Sequence, residues 1–267
     1  VCFTDFLEQL MIKAALGAFV SLVAAGVVPF ASAADLGITY LGKVTISGTS
    51  TDQTSTTFSP TDISGITWSG AGNVYYAVSD KTNHVIQLTV NTQVNGTPSS
   101  AAFGTSVKLD NPDPITYPTP INLDLEGIAY STVHPNGIFV SSEATNSIFE
   151  YNLATGTLAQ TIAPLGYATA RDNLSLESLS RVGNTLWTSN EEALADDGPI
   201  STTSAGTVVR LGKFDVSGAT ASPAGEFAYN VEKIHAAASG DTNGTSRSGL
   251  SDLVALPDGR LITLERS

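Results

Sequence analysis

The chain has little of the chemistry that depends on cysteine or histidine. Its 267 residues include one cysteine, Cys2, and three histidines, His84, His134 and His235. Cys2 falls in a predicted leader, so the mature chain has no disulfide, thiol nucleophile or thiolate metal ligand. There is no His-x-x-x-His, which argues against zinc. The histidines fall in predicted turns or loops without a shared register. With no Gly-x-Ser-x-Gly present, a Ser-His-Asp triad is not expected.

Basic residues are scarce as well. The 12 Lys and Arg stand against 25 Asp and Glu, which gives a formal net charge of −13. This acidity argues against nucleic acid and against anionic membrane surfaces as partners. It suits a secreted protein, a cation binder, or both. Hydrophobic residues make up 42% of the chain and can fill a core, and the length fits one large all-β domain as well as two smaller ones.

The first 33 residues are predicted to be a leader. The apolar run 14–28 follows Lys13, and Ala31-Ser32-Ala33 offers the small-x-small pattern of a signal peptidase site. We predict cleavage before Ala34, with Met11 as the true start and the preceding residues as an upstream artefact. An uncleaved membrane anchor is the alternative, because the run is nearly long enough to span a bilayer.

Cleavage is the favoured interpretation. It predicts a secreted, periplasmic or extracellular protein that has no stable membrane insertion. The chain then divides into an upstream segment with signal peptide, residues 1–33, and one domain, residues 34–267. Strands are predicted from Tyr40–Ile46 onward, with a Ser/Thr-rich loop at Ser47–Pro60.

An apolar unit recurs four times along this domain. In each unit a short apolar segment is followed by a turn and by a second apolar segment that ends near an aspartate or a glutamate. The units begin at Ile63, Leu125, Leu176 and Leu250. Short strands repeated at intervals of roughly 50 to 75 residues indicate an all-β fold, a β-propeller of four-stranded blades. The fourth unit has only two strands before Ser267, so we expect the propeller to be incomplete and truncated at its C-terminus, because folded proteins avoid open sheet edges.

Carboxylates occupy two equivalent positions in these units. Glu126 and Glu177 lie one step inside the first strand. The acids predicted at the end of the second strand are Asp80, Glu143, Glu191 and Glu265. Equivalent positions of successive blades surround the propeller axis, so these acids are expected to converge at one mouth of the channel.

Converging carboxylates must be protonated, paired with a cation, or bound to metal. Hard oxygen ligands suit Ca²⁺. We therefore predict a calcium site formed by Glu126, Glu143, Glu177, Glu191 and Glu265. The alternative is that these acids accept hydrogen bonds from neighbouring blades and hold the ring together. Arg171 and Arg266 are the available cations, as anion clamps or as salt-bridge partners of Glu177 and Glu265.

Five motifs in order resemble the phytase-like family, which is described by an esterase-like activity of phytase. They are Asp124–Ala129, Ser141-Ser142-Glu143, Arg171-x-Asn173-x-x-x-Glu177-Ser178-Leu179, Glu191-x-x-Leu194-x-x-Asp197, and Gly249–Leu253 with Leu264-Glu265-Arg266. The resemblance covers Ile38 to Ser267. It departs at Ser178, where the family often has glycine, and the family continues past the Glu-Arg motif. It implies an exported β-propeller.

The function implied by this resemblance is hydrolysis of phosphate or other esters, assisted by metal. We predict Glu126 and Glu177 as catalytic residues and Arg171 and Arg266 as substrate-binding residues, in a monomer with a small-molecule substrate. Phytate would be repelled by the acidic chain unless bound calcium reversed the local charge. A calcium-dependent lactonase and a non-catalytic extracellular propeller that binds a ligand are the alternatives, since propellers host all three functions.

Overall fold

The structure, a computed structural model, describes residues 36–236 and 246–267, together with the backbone of residues 12–14. The predicted cleavage site and the rest of the predicted leader lie outside the described residues. The described part is all-β, as predicted, with one short 3-10 helix at Tyr167–Thr169. None of the helices in this part has the length and apolar character needed to cross a membrane.

Three short strands precede the first repeat. They are β1 (Ile12–Ala14), β2 (Ser50–Thr51) and β3 (Thr57–Phe58). β2 and β3 form a hairpin inside the segment predicted as a loop. Asp52 explains this difference, because its Oδ1 accepts hydrogen bonds from the backbone N–H groups of Thr54 and Thr56 and so closes the turn. The predicted strand at Tyr40–Ile46 is wrong. That segment has no strand partner among the described residues, and Tyr40 and Leu41 are exposed.

The next three sheets each have four antiparallel strands and correspond to the first three repeats. The first contains β4 (Ile63–Trp68), β5 (Val74–Ser79), β6 (Thr82–Thr92) and β7 (Pro98–Lys108). The second contains β8 (Leu125–Tyr130), β9 (Gly137–Ser142), β10 (Ser147–Asn152) and β11 (Leu158–Ile162). The third contains β12 (Leu176–Val182), β13 (Thr185–Asn190), β14 (Thr207–Asp215) and β15 (Ser222–Val231).

The fourth sheet has two strands from the fourth repeat, as predicted. β16 (Gly249–Ala255) pairs with β17 (Leu261–Arg266), and β1 lies antiparallel to the other side of β17. The first strands of the sheets pack as successive neighbours, β4 on β8, β8 on β12 and β12 on β16. The sheets are therefore arranged as the blades of a propeller, with their first strands innermost.

An apolar cluster fills the space between each pair of neighbouring sheets. Leu125 and Val140 lie in the cluster that joins the first and second sheets. Phe139 and Leu176 lie in the cluster between the second and third sheets, and Leu250 lies in the cluster between the third and fourth. Full burial of such side chains stabilises the fold by about 1.5–3 kcal/mol each, so the sheets are held face to face mainly by apolar contact.

Glycine permits the closest approach between neighbouring first strands. A Cβ atom at Gly65 would collide with the carbonyl oxygen of Glu126, and one at Gly127 would collide with the backbone of Leu179. At the equivalent place in β12 the chain has Ser178. Its hydroxyl is buried and lies 2.6 Å from the Ser189 hydroxyl, so the departure from glycine is accommodated by a hydrogen bond.

Candidate functional site

A β-bulge occurs at the same place in all four inner strands. The pairing of each first strand with the second shifts directly after an apolar residue near the start of the strand, at Ile63, Leu125, Leu176 and Leu250. The residues that directly follow these four are Ser64, Glu126, Glu177 and Ser251. A bulge releases a residue from the ladder and redirects its side chain. All four of these residues line one cavity near the axis.

The end of the second strand supplies the other acids. Asp80, Glu143 and Glu191 directly follow β5, β9 and β13. The backbone N–H of Glu143 donates to the Asp124 carbonyl at 2.9 Å, and that of Glu191 donates to the Ser175 carbonyl at 2.8 Å. These bonds continue each ladder by one residue and fix the positions of Glu143 and Glu191. Asp80 and Glu143 line the cavity, and Glu191 is buried behind its wall.

The predicted register of Glu265 is wrong by one residue. Arg266 pairs with Gly249, which precedes Leu250, so Arg266 holds the position that acids hold in the other sheets. Neighbouring residues of a strand point to opposite faces. The Glu265 carboxylate accepts instead from the Tyr229 hydroxyl at 2.6 Å and from the Glu232 N–H at 2.9 Å. These contacts link β17 to β15 and to Glu232, which follows β15. Glu265 lines the same cavity as the other acids but lies outside both acidic groups described next.

The acids form two groups beside a cavity of about 620 Å³. In each group, one carboxylate oxygen from every residue lies within 4.8 Å of the others. We call Glu143, Glu177 and Glu191 the inner triad, and Asp80, Asp124 and Glu126 the outer triad. Four of the five predicted metal ligands therefore come together in these two groups.

In the inner triad Glu143 and Glu191 are buried and Glu177 is half-buried, and hydrogen bonds satisfy the carboxylates only in part. Glu143 Oε1 accepts from the N–H of Ser175 in the next sheet at 2.7 Å, as the structural alternative expects. Glu191 Oε1 accepts from Arg266 Nε at 2.7 Å and lies 2.5 Å from Arg266 Nη2. Glu191 is 0% exposed, and its Oε2 has no hydrogen-bond partner among the described residues. A buried carboxylate oxygen without a donor is costly, unless a ligand supplies the missing contact.

Burial and mutual repulsion oppose ionisation of these acids. Burial, followed by the Glu143 charge, raises the pKa of Glu126 to about 8. Burial also raises the pKa of Glu143 to about 7, with Asp124 and Glu191 adding repulsion. The pKa of Glu177 lies well above its ordinary value, mainly through burial and then through repulsion from Glu126. A bound cation would favour the ionised form of every one of these groups.

The outer triad is more open. Asp80 Oδ2 accepts from Lys81 Nζ at 2.7 Å, and Asp80 Oδ1 is buried without a hydrogen-bond partner among the described residues. Burial, followed by repulsion from Asp80, raises the pKa of Asp124. The Ser64 hydroxyl of the first sheet lies near Glu126 and opposes the rise in the pKa of that carboxyl group. This group therefore draws on the first two sheets, whereas the inner triad draws on the second and third.

The two predicted arginines have different positions. Arg266 lines the cavity, and its ion pair is with Glu191 rather than with Glu265. Arg171 donates from Nε to the Ala193 carbonyl and from Nη2 to the Gly198 carbonyl, each at 2.9 Å. These contacts hold the long loop between β13 and β14. Arg171 is not among the cavity-lining residues and makes no ion pair with Glu177 among the described residues, so this geometry gives its predicted role in substrate binding no support.

Two acids of the outer triad were absent from the predicted site. Asp80 has the same position in its repeat as Glu143, and this shared position was the signal that could have placed Asp80 among the predicted metal ligands. Asp124 precedes the first strand of its unit, as Asp62 does in the first sheet. Both have positive φ values, 51° and 49°, which asparagine and aspartate tolerate better than most residues. An aspartate repeated just before the inner strand was thus a usable signal for Asp124.

The histidines take no part in this site. His84 lies on β6 rather than in a loop, and its Nε2 is 3.2 Å from Asp52 Oδ2. His134 lies in the loop after β8 and bonds to Glu150. His235 is exposed and lies 3.5 Å from Glu232. None of the three lines the acidic cavity.

The solved structures that match this chain share little sequence with it. The 2S albumin seed protein from Dolichos is 10% identical, with a TM-score of 0.38, and the match covers 73% of this chain and 78% of that one. A putative 6-phosphogluconolactonase from Bacteroides uniformis is 13% identical, with a TM-score of 0.36 and coverage of 80% and 69%. A luciferin-regenerating enzyme is 12% identical, with a TM-score of 0.33 and coverage of 76% and 68%. No curated protein sequence matches the chain.

A family model provides the informative match. The model for phytase-like proteins, described as "esterase-like activity of phytase", matches residues 61–267. This range contains all four repeats and both acidic triads. It supports a role of the hydrolase type. The chain belongs to the phytase-like family.

Proposed function

We propose that the protein is a cation-dependent hydrolase of phosphate or other esters, and that its acidic cavity holds Ca²⁺. The observation that carries this proposal is the convergence of carboxylates from three successive sheets on one cavity, where Glu191 keeps a buried oxygen without a described partner. Membership of a family described by an esterase-like activity supports the hydrolase part.

The residues of the inner triad fit calcium in chemistry and spacing. Calcium prefers oxygen ligands at about 2.3–2.6 Å, so two oxygens bound to one ion lie no more than about 5 Å apart. The carboxylate oxygens of Glu143, Glu177 and Glu191 lie within 4.8 Å of one another. The outer triad meets the same spacing and offers a second place for a cation. When bound, the ion would polarise a carbonyl or phosphoryl oxygen of the substrate.

The remaining chemistry falls to side chains of the cavity wall. Glu126 lines the cavity, and its pKa is raised to about 8 in the metal-free protein. A cation at the inner triad would lower this pKa, and the ionised Glu126 would then act as a general base near neutral pH. Arg266 has its side chain half-exposed at the cavity and would orient an anionic substrate group. Glu177 belongs to the inner triad and is also repelled by Glu126 of the outer triad. It would bind the cation and would take no part in proton transfer.

Hydrolysis assays on the purified protein test this function. We expect release of 4-nitrophenol from 4-nitrophenyl phosphate or 4-nitrophenyl acetate in millimolar calcium, and loss of that activity in excess EDTA. E126Q should lower kcat by roughly 10²-fold or more, as expected for loss of a general acid–base group. E226Q changes an acid on the outer strand β15 and serves as the matched control.

Other outcomes of this assay identify the alternatives. Hydrolysis of a γ-lactone alone, still dependent on calcium, would identify the lactonase. Absence of activity on all three substrates, in protein that still binds calcium, would contradict the hydrolase and favour the ligand-binding propeller.

A further inference from the structure

A second cavity continues from the acidic one along the inner strands. Its volume is about 440 Å³, and residues from β4, β8, β12 and β16 line it. Gly65 and Ile66 line both cavities and mark their boundary. No member of either acidic triad reaches this second cavity. Its size falls in the range of small-molecule sites, which span roughly 300–1,000 Å³.

Arg181 brings a positive charge to this cavity. Its Nε donates to the Tyr130 carbonyl at 2.6 Å and its Nη1 donates to the Gly183 carbonyl. Among the described residues Arg181 makes no ion pair with a carboxylate, and no described hydrogen bond uses Nη2. Burial lowers the pKa of Arg181, because the charge lacks full solvation. A guanidinium fixed by two carbonyls and lacking a counterion favours an anionic ligand, above all a carboxylate.

Apolar side chains form another part of the wall. Trp68, Val254 and Ile66 all line the cavity and are 53%, 47% and 43% exposed. The Trp68 indole N–H donates to the Gly72 carbonyl at 3.0 Å, which fixes the orientation of the ring. Large apolar groups that are exposed together inside a concave site indicate an apolar ligand.

Asp252 provides a hydrogen-bond acceptor in the same cavity. One of its carboxylate oxygens accepts from the N–H of Leu253 at 2.7 Å, and no ion pair involves it within the described part of the chain. Burial raises the pKa of Asp252 to about 6, which leaves it ionised at neutral pH and able to accept from a hydroxyl group.

We propose that this second cavity binds a small hydroxylated aromatic carboxylate. The carboxylate pairs with Arg181, the ring packs against Trp68, and the hydroxyl group donates to Asp252. This site is separate from the acidic cavity and does not depend on the hydrolase function proposed above.

Fluorescence of Trp68 tests this proposal. The sequence has two tryptophans, Trp68 and Trp187, so W187F leaves Trp68 as the single emitter. Titration of W187F with 4-hydroxybenzoate should change the emission along a saturable curve. In W68F, where Trp187 remains on β13 outside the cavity, the same titration should leave the emission unchanged apart from dilution and absorption.

Charge and hydroxyl recognition are separated with ligand analogues and two further variants. In the W187F background, R181Q should weaken 4-hydroxybenzoate binding at least tenfold, and 4-hydroxybenzyl alcohol should bind at least tenfold more weakly than the acid. D252N should lower the preference for 4-hydroxybenzoate over benzoate. If R181Q fails to fold, as judged by its melting transition, R181K is used in its place, because it keeps the positive charge and loses the guanidinium group. The affinities of D252N and of the wild type for the ligand analogues then test the proposal.

Three results would overturn the proposal. They are no saturable signal with 4-hydroxybenzoate, equal affinity for the neutral alcohol, and binding that R181Q leaves unchanged. Self-association in sedimentation experiments that D252A strengthens would identify the cavity as a protein contact instead.

Discussion

Arg266 donates to one carboxylate oxygen of Glu191, and the other oxygen of Glu191 is buried without a described partner. Arg266 has the position in the fourth sheet that Asp80, Glu143 and Glu191 have in the first three. Arg266 at the inner triad and Lys81 at the outer triad are therefore two positive charges beside six carboxylates. They offset only part of the repulsion between the carboxylates, and the remaining negative charge favours a cation.

Loss of Arg266 should weaken the metal-free protein more than the calcium-bound one. R266Q leaves the buried Glu191 carboxylate without its donors, which costs about 1–3 kcal/mol. Calcium at the inner triad should recover part of this loss. Urea unfolding in EDTA and in millimolar calcium measures both values. R260Q, which removes an exposed pair with Asp258, is the control and should cost less than about 0.5 kcal/mol. An equal loss of unfolding free energy for R266Q in both buffers would show that Arg266 is not coupled to a cation site.

The metal-free protein should lose stability as the pH rises from about 4.5 to about 8. The pKa of Glu143 is raised to about 7 and that of Glu126 to about 8, both from 4.5, so the folded state favours their protonated forms. The contribution of these protonated carboxyl groups to the free energy of unfolding is complete below 4.5, their pKa in the unfolded chain. It is lost as the pH rises through their pKa values in the folded protein. Denaturant titrations in EDTA from pH 4.5 to 9 measure this slope, and the double variant E126Q/E143Q should flatten it. Calcium should remove the slope in the wild type, because it binds the ionised carboxylates. A flat profile for the metal-free wild type would contradict the proximity of these acids.

Gly127→Ala should destabilise the protein by about 1–3 kcal/mol, the usual cost of forcing extra atoms into a packed interior. The added Cβ would collide with the backbone of Leu179 in the next sheet, and backbone cannot move aside as a flexible side chain can. Thermal and urea unfolding give the cost. Gly218→Ala is the matched control, because the nearest atom to its Cβ is the Thr220 carbonyl oxygen at 3.5 Å. Equal stability of the two variants would show that the inner strands of the second and third sheets are further apart than described.

His134 should stabilise the contact between the second and third sheets at low pH. Its Nδ1 lies 2.6 Å from Glu150 Oε1, and its Nε2 lies 2.8 Å from the Gly218 carbonyl. Both partners accept, so the doubly protonated imidazolium satisfies both contacts. The hydrogen bond to Glu150 is the main cause of a raised pKa at His134. Its contribution is therefore complete below pH 6.5 and is lost as the pH rises through the folded pKa.

The variant H134Q tests this contact. It should cost about 1–2 kcal/mol at pH 5.5 and less at pH 9, as measured by denaturant unfolding. His235→Gln changes an exposed histidine and should cost little at either pH. A cost for H134Q that does not change with pH would mean that the imidazole is neutral in both contacts.

The sequence was sufficient to predict the repeat, the four-stranded sheets and the meeting of four glutamates, because the apolar spacing of the units is regular. It failed for Glu265, because pairing register depends on the bulge and on the ladder partner Gly249, which a pattern of residues does not reveal. It also did not reveal the hydrogen bonds of Arg171, whose partners are backbone carbonyls of a loop more than 20 residues away, and its role in substrate binding stays a prediction. Backbone acceptors leave no pattern in a sequence. The bulge that aims Glu126 and Glu177 at the cavity became visible only from strand pairing.

Direct titration of calcium into the metal-free protein is the measurement that tests the central claim. Isothermal titration calorimetry of the wild type should give saturable binding, and E191Q should weaken it by at least tenfold, because Glu191 supplies the unpartnered oxygen of the inner triad. E226Q, on the outer strand β15, should bind as the wild type does. Wild-type protein that shows no heat of binding at millimolar calcium, or E191Q that binds as tightly as the wild type, would contradict the cation site and leave these acids as hydrogen-bonding links between the sheets.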